Sequence, residues 1–260
     1  MSVSVQAERV DVAAHVRKTI DEQVAIEALI NIHLNDKRIT TLRATPKLRK
    51  ESALGWLFDE GILRSLDEIK EVIVNQNDVK VTTREPLEEG RYQIAGAIRT
   101  LAATSRASLD RFMEVWLYER SSRKFRYEVS ANSIIKMVRE LERRSKLFRL
   151  TGGTHAAALF EEEEMIAFAE DVSRHSAIDK VVGMAVQSKA DFSKCVLVSS
   201  GRQSADMVLK AVIMRIPILV SKASPIHSGI IMAEKAGLTL ICFAREQRMN
   251  VYTYPGRVLT

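Results

Sequence analysis

The second half of the chain constrains the fold most. From residue 150 onward, short apolar runs alternate with amphipathic segments. "AAALF" (156–160), "MIAFAE" (165–170), "CVLVSS" (195–200), "PILVSK" (217–222), "LTLICFA" (238–244) and "MNVYTY" (249–254) read as strands. "SAIDKVVGMAVQSK", "SADMVLKAVIMRI" and "PIHSGIIMAEKAG" fall between them and read as helices. Strands joined by crossover helices predict an α/β sheet with a parallel segment, covered on both faces.

The first half is less regular. Residues 1–26 show no strong strand signal and read as an N-terminal helix or arm. "LINIHLNDKRITTLRATP" alternates around Asn35-Asp36, which predicts a hairpin. "LRKESALGWLFDEG" predicts an amphipathic helix with Leu54, Leu57 and Phe58 on one face and Gly61 ending it. Short strands follow near Glu71–Val74 and Val79–Thr83. Residues 84–130 carry mixed signals with some helical content, and "SANSIIKMVRELERRSKL" is a helix capped by Ser130 or Asn132. The expected organisation is an arm (1–26), a small α+β domain with a variable loop region (27–128) and an α/β domain (129–260).

Composition narrows the function classes. The 260 residues are 46% apolar and 28% charged, as in ordinary globular proteins. No stretch approaches the roughly 20 apolar residues of a membrane span, and the N-terminus has no secretory h-region, so a cytoplasmic protein is expected. The net charge of +6 favours anionic ligands. Basic residues are scattered, apart from "RELERRSKLFR" (139–149), which reads as a solvated helix face, and no nucleic-acid partner is expected. The two cysteines, Cys195 and Cys242, sit in strand-like runs and read as core thiols. Without a Cys-x-x-Cys pair, no zinc site is expected.

In such a sheet, ligands bind at the carboxyl ends of the parallel strands. Three strand-to-helix junctions there carry polar residues: "EDVSRH" (170–175), "SSGRQS" (199–204) and "SKASP" (221–225). Helix starts favour anions, and Arg174, Arg202 and Lys222 stand beside these three. Ser224-Pro225 has the form of an N-cap followed by a first-turn proline. There is no Walker loop and no Gly-x-Gly-x-x-Gly. His155, Glu170, Asp171, His175 and Asp179 are metal-ligand types, and Ser200, His175 and Asp171 could form a hydrolytic trio. Caps and ion pairs account for the same residues.

In order along the chain, these segments resemble the formate dehydrogenase accessory proteins, the FdhD/NarQ family. "RATPKLRKESALGWLFDEGIL", "FRLTGGTHAAALF", "EDVSRHSAIDKVVG", "VSSGRQSADMVLKA", "IPILVSKASP" and "FAREQRMNVYTYPGRV" carry the likeness, from about residue 29 to the C-terminus. The resemblance implies a cytidine deaminase-like α/β/α sandwich with a mixed sheet, a small N-terminal α+β domain and a homodimer. It implies binding of a bis-guanylylated molybdenum (or tungsten) pterin cofactor, with a guanine nucleotide as partial ligand, and service to a formate dehydrogenase catalytic subunit. Carried over residue by residue, the implied binding set is Gly152, Gly153, Thr154, His155, Asp171, Arg174, His175, Ser200, Gly201, Arg202, Ser204, Ser221 and Ser224. The "FAREQR" segment adds Phe243, Arg245 and Arg248. Arg174 is expected to meet a phosphate or pterin oxygen, with His175 and Asp171 orienting it.

The family's proposed activity is sulfur transfer, in which a cysteine desulfurase loads a persulfide onto a Cys-x-x-Cys loop. That loop should fall near "LAATSRASLDRF", where this chain has no cysteine. Ser173 also stands where the family usually has glycine. The catalytic residue of a sulfur transfer is therefore unassigned. The other function class is a nucleotide-binding or nucleotide-processing protein on a deaminase-like scaffold without zinc.

Overall fold

The computed structural model describes residues 1–88, residue 91 and residues 127–260. The uncertain stretch "AGAIRTLAATSRASLDRFMEVWLYER" lies outside the described residues.

The alternating second half forms a six-stranded sheet in the order β13-β12-β11-β10-β8-β9. Its strands are β8 (His155–Glu161), β9 (Glu164–Asp171), β10 (Cys195–Ser199), β11 (Ile218–Ser221), β12 (Thr239–Arg245) and β13 (Arg248–Val251). β10, β11 and β12 run parallel, while β8 is antiparallel to both β10 and β9. The carboxyl ends of β9, β10, β11 and β12 therefore share one edge with the amino end of β8.

Both faces of this sheet are covered. Helix α2 (Ala131–Arg144) places Ile134, Met137, Val138 and Leu141 on one face, against Ala158, Phe160, Val196, Val198 and Val220. Ser130 caps it, its Oγ accepting from the Ser133 N–H at 3.0 Å. A short helix α3 (Lys146–Thr151) follows. The opposite face carries α4 (Arg174–Gln187), α5 (Ala205–Ile213) and α6 (His227–Ala236). The result is the expected α/β/α sandwich with a mixed sheet.

The first half supplies a four-stranded sheet, order β4-β3-β6-β5, built from β3 (Ala28–Leu34), β4 (Lys37–Ala44), β5 (Ile69–Asn75) and β6 (Asp78–Thr83). The β3–β4 turn falls at Asn35-Asp36, both at positive φ as a two-residue hairpin turn requires. Helix α1 (Arg49–Asp59) buries Leu54, Leu57 and Phe58 as expected, and Gly61, at φ +73°, ends it. From Ser52 to Asp59 the helix is buried all round, because it packs between the small sheet and α4. At that crossing, a Cβ on Gly55 would lie 1.6 Å from the Asp179 carbonyl oxygen, and one on Gly183 would lie 1.9 Å from that of Glu51. One continuous core joins the small sheet, α1 and the large sheet.

Residues 1–26 correct the sequence reading. They form an antiparallel hairpin of β1 (Ser2–Asp11) and β2 (Val16–Ala25), not a helix. Among the described residues the two strands pair only with each other, and they are largely exposed, so the apolar/polar contrast that marks a half-buried strand is weak. β7 (Val129–Ser130) and β14 (Val258–Leu259) complete the set of strands in the described residues.

Candidate functional site

The edge where β9 through β12 end gathers most of the sequence-selected residues. His155 begins β8 and pairs in register with Asp171, the last residue of β9. Ser200, just past β10, locks onto the start of β8. Its Oγ accepts from the Ala156 N–H at 2.9 Å and lies 3.3 Å from His155 Nδ1, and its N–H donates to the Ala156 carbonyl at 2.9 Å.

The two carboxylates of "EDVSRH" have structural roles. Glu170 reaches back to the start of α3 and accepts from the Leu147 and Phe148 N–H groups at 2.9 and 2.7 Å. Asp171 is fully buried. Its Oδ2 accepts from Lys180 Nζ at 2.5 Å and from the Thr45 N–H at 3.0 Å, and its Oδ1 accepts from the Ser173 N–H at 2.9 Å. Asp171 thus orients the start of α4 from beneath and offers no free oxygen to a ligand. The hydrolytic trio is not assembled, since Ser200 meets His155 and Asp171 belongs to Lys180. Among the described residues, no group of His, Cys, Asp and Glu side chains is arranged to hold a metal ion.

Arg174 and His175 open α4, whose cap is Ser173, its Oγ accepting from the Ser176 N–H. The stem of Arg174 lies over Gly201, where a Cβ would come within 2.8 Å of Arg174 Cβ. Arg174 Nε is buried and, among the described residues, has no hydrogen-bond partner. His175 Nε2 is 2.6 Å from Asp206 Oδ2, and the Ser204 hydroxyl donates to the other Asp206 oxygen. These bonds outweigh the burial of Asp206 and hold its carboxyl well below the usual range. His155 is pushed down by burial first, then by the positive charges of Arg174, His175 and Arg202. Arg174 and Arg202 thus place positive charge near His155.

Beside this cluster lies a cavity of about 650 Å³. Gly152, Gly153, Thr154, His155, Ser200 and Lys222 form one wall. Gly152 takes φ +65°, and among the described residues nothing stands within 4 Å of where its Cβ would be. The other wall was missed in the sequence. Leu141, Ser145, Phe148 and Arg149 come from the "RELERRSKLFR" run. Arg143 and Arg144 do lie on a solvated face, paired with Glu140, but Leu141, Ser145 and Phe148, at i, i+4 and i+7, turn to the cavity. That spacing was the available signal. Glu142 and Lys222 form a close ion pair from α2 to the end of β11.

The remaining sequence-selected residues are placed differently. Ser221 is buried and donates to the Gly201 carbonyl at 2.7 Å, shaping the loop from below. Ser204 stands at the start of α5 but spends its hydroxyl on Asp206 rather than on a cap. Ser224-Pro225 does not start a helix. α6 begins at His227 after Ile226, and Pro225 instead bridges to Gln203, so the third junction offers no helix-start N–H groups at Ser224. Phe243 adopts φ 53° inside β12, where the ladder to β13 shifts register. A bulky residue in that region is strained, and its N–H is held by the Ala223 carbonyl at 3.1 Å. Arg245 and Arg248 face each other at the β12–β13 turn, exposed and outside the cavity wall.

Cys195 and Cys242 lie in strands of the large sheet. Both are free and fully buried, and burial pushes each thiol up to about 12.

Fold and site together define a three-layer α/β protein with a cation-lined cleft at the carboxyl edge of its sheet. The FdhD/NarQ family model matches residues 25–259, and the chain belongs to that family. Among curated relatives, the sulfur carrier protein FdhD of Wolinella succinogenes is 34% identical over 242 residues, covering 92% of this chain and 83% of the relative. The sulfur carrier protein FdhD of Methanothermobacter thermautotrophicus is 32% identical over 243 residues, 94% of each chain. A crystal structure from Desulfotalea psychrophila, described as a formate dehydrogenase accessory protein, superposes with a TM-score of 0.78 at 28% identity, covering 99% of both chains. Among the described residues no helix is long and apolar enough to cross a membrane.

Proposed function

We propose that this chain is a formate dehydrogenase accessory protein that holds the guanylylated molybdenum or tungsten pterin at the carboxyl edge of its sheet and passes it on as cargo, without carrying sulfur on a thiol of its own. The observation that carries the reading is the buried Arg174 Nε, unpartnered among the described residues and set over Gly201, next to a cavity walled by Gly152, His155 and Ser200, on family-matched segments.

The residues fit such a cargo. Among the described residues the buried Arg174 Nε has no partner, and its stem is fixed over Gly201, so its guanidinium has donor capacity left for an anion. Gly152 leaves room for close approach to the backbone. Phe148 and Leu141 offer an apolar wall to a planar ring system. When bound, the cargo supplies the metal centre that the dehydrogenase uses. The chain's own part is to neutralise phosphate charge with Arg174 and Arg202, and to fix His175 through Asp206.

Sulfur carriage needs a thiolate that is accessible and activated. The chain's two cysteines are neither, since both are buried and pushed up to about 12. A dehydrogenase-side sulfur source, or a desulfurase acting on the bound cargo directly, then replaces the persulfide relay. Incubating the native protein with a cysteine desulfurase and cysteine tests this part by intact-mass spectrometry. Both thiols are expected to stay unmodified, and a persulfide on either would overturn it.

A further inference from the structure

The opposite end of the large sheet carries a second cavity, of about 660 Å³. Its floor is apolar, with Phe58, Leu66, Phe192 and Met214 from separate elements. Its rim holds Arg64, Lys189 and Arg215, all exposed. Among the described residues none of these three cations has a side-chain hydrogen bond or ion pair, and Asp67, the acid at the rim, already accepts from the Ser65 hydroxyl at 3.1 Å.

The backbone under two of these cations is unusual. Helix α4 ends with the Lys189 N–H donating to Val186 and the Ala190 N–H to Ala185, at 3.1 and 3.0 Å. Helix α5 ends the same way, with Arg215 donating to Val212 and Ile216 to Ala211, at 3.0 and 2.9 Å. This closing pattern requires a left-handed residue just past the helix, where glycine is the unstrained choice. The chain uses glycine at that position after α1 (Gly61), α3 (Gly152) and α6 (Gly237). After α4 and α5 it places Lys189 and Arg215, both at φ 58°. The two long cations stand where glycine would relieve strain, and both border the same cavity. A local rule broken twice at one place marks a side chain retained for its own sake.

We infer that this cavity docks an acidic peptide segment of a partner protein, with a large apolar side chain seated on the Phe58–Phe192–Met214 floor and carboxylates paired to Arg64, Lys189 and Arg215. Charge complementarity selects the occupant. The three exposed cations around the apolar floor call for carboxylates flanking a large apolar side chain, and a nucleic acid would leave that floor uncovered. The position separates docking from cargo, because Phe192 precedes β10 at its amino end while the cationic cleft lies at its carboxyl end.

The test uses the full chain and fluorescence anisotropy with a short dye-labelled peptide, a Phe-Leu pair flanked by aspartates and glutamates. Binding is expected for the wild type and is expected to weaken by at least about tenfold in the K189G/R215G double variant. Because glycine suits both positions, that variant keeps or gains thermal stability, so its loss of binding is not a loss of fold. A version of the peptide with serines in place of Phe-Leu is expected to bind much more weakly. Equal affinity of wild type and double variant, no binding by either, or equal affinity for the serine peptide would each overturn the assignment.

Discussion

Lys180 and Asp171 form an ion pair at 2.5 Å with both side chains fully excluded from solvent, and they share Thr45 as a third partner. Lys180 Nζ donates to the Thr45 carbonyl and hydroxyl at 3.0 and 2.7 Å, so the pair stitches the end of β4 to the start of α4. Burial pushes the Lys180 amine down, and Asp171 opposes that shift.

Removing one partner leaves a buried charge uncompensated. Lys180→Met is therefore expected to cost about 3–5 kcal/mol in urea unfolding, far more than loss of an exposed pair. A cost under about 1 kcal/mol would show that water or another cation reaches Asp171.

The α1–α4 crossing allows no side chain at its centre. Gly55→Ala puts a methyl group 1.6 Å from the Asp179 carbonyl oxygen, and Gly183→Ala one 1.9 Å from that of Glu51. Each is expected to destabilise by about 3 kcal/mol or more, measured by thermal or denaturant unfolding, because backbone must move to make room. Wild-type stability in either variant would contradict the packing.

Lys210 is surrounded by carboxylates, with Asp59 at 2.7 Å, Asp179 at 2.8 Å and Glu60 at 3.6 Å. Burial, and then the neighbouring acids Asp179 and Glu60, raise Asp59 well above the usual range despite Lys210. A carboxyl raised by folding holds a proton that the unfolded chain releases. Its effect is therefore a loss of stability as pH rises from the unfolded pKa through the folded one. Asp59→Asn removes that loss, so the variant should gain on the wild type as pH rises above about 4, the ordinary carboxylate range, in urea titrations. A difference that does not change with pH would contradict the raised carboxyl.

His155 is held down by burial and by Arg174, His175 and Arg202. An anion bound among these cations reverses the charge contribution. Adding GDP should therefore raise the His155 titration midpoint followed by NMR, and a midpoint that stays or falls would place the anion elsewhere.

Much of the fold was legible because burial imposed a period. The strands and helices from residue 155 onward are buried on one or both faces, and so each apolar run and its crossover helix stood out. The hairpin at residues 1–26 was not legible, since β1 and β2 are exposed along most of their length and lack that contrast. At the site, the arginines and the glycine pair were visible as motifs, but the division of labour was not. Glu170 and Asp171 are neighbours in sequence, yet one caps α3 and the other anchors Lys180, which only the β8–β9 register and the α3 position decide. Ser224-Pro225 looked like a helix start because proline suits a first turn, whereas here the bridge between Gln203 and Pro225 delays the helix to His227. The Asp206 partner of His175 lies 31 residues along the chain, and no local pattern announces it.

If the cationic edge holds the nucleotide end of the cargo, a guanine nucleotide alone should bind there. Titration calorimetry with GDP tests it most directly, on the wild type and on Arg174→Ala and Arg202→Ala. Binding by the wild type is expected, weakened by more than about tenfold in each variant, as loss of a charge-assisted contact requires. Wild-type affinity in both variants, or no binding by the wild type, would contradict it.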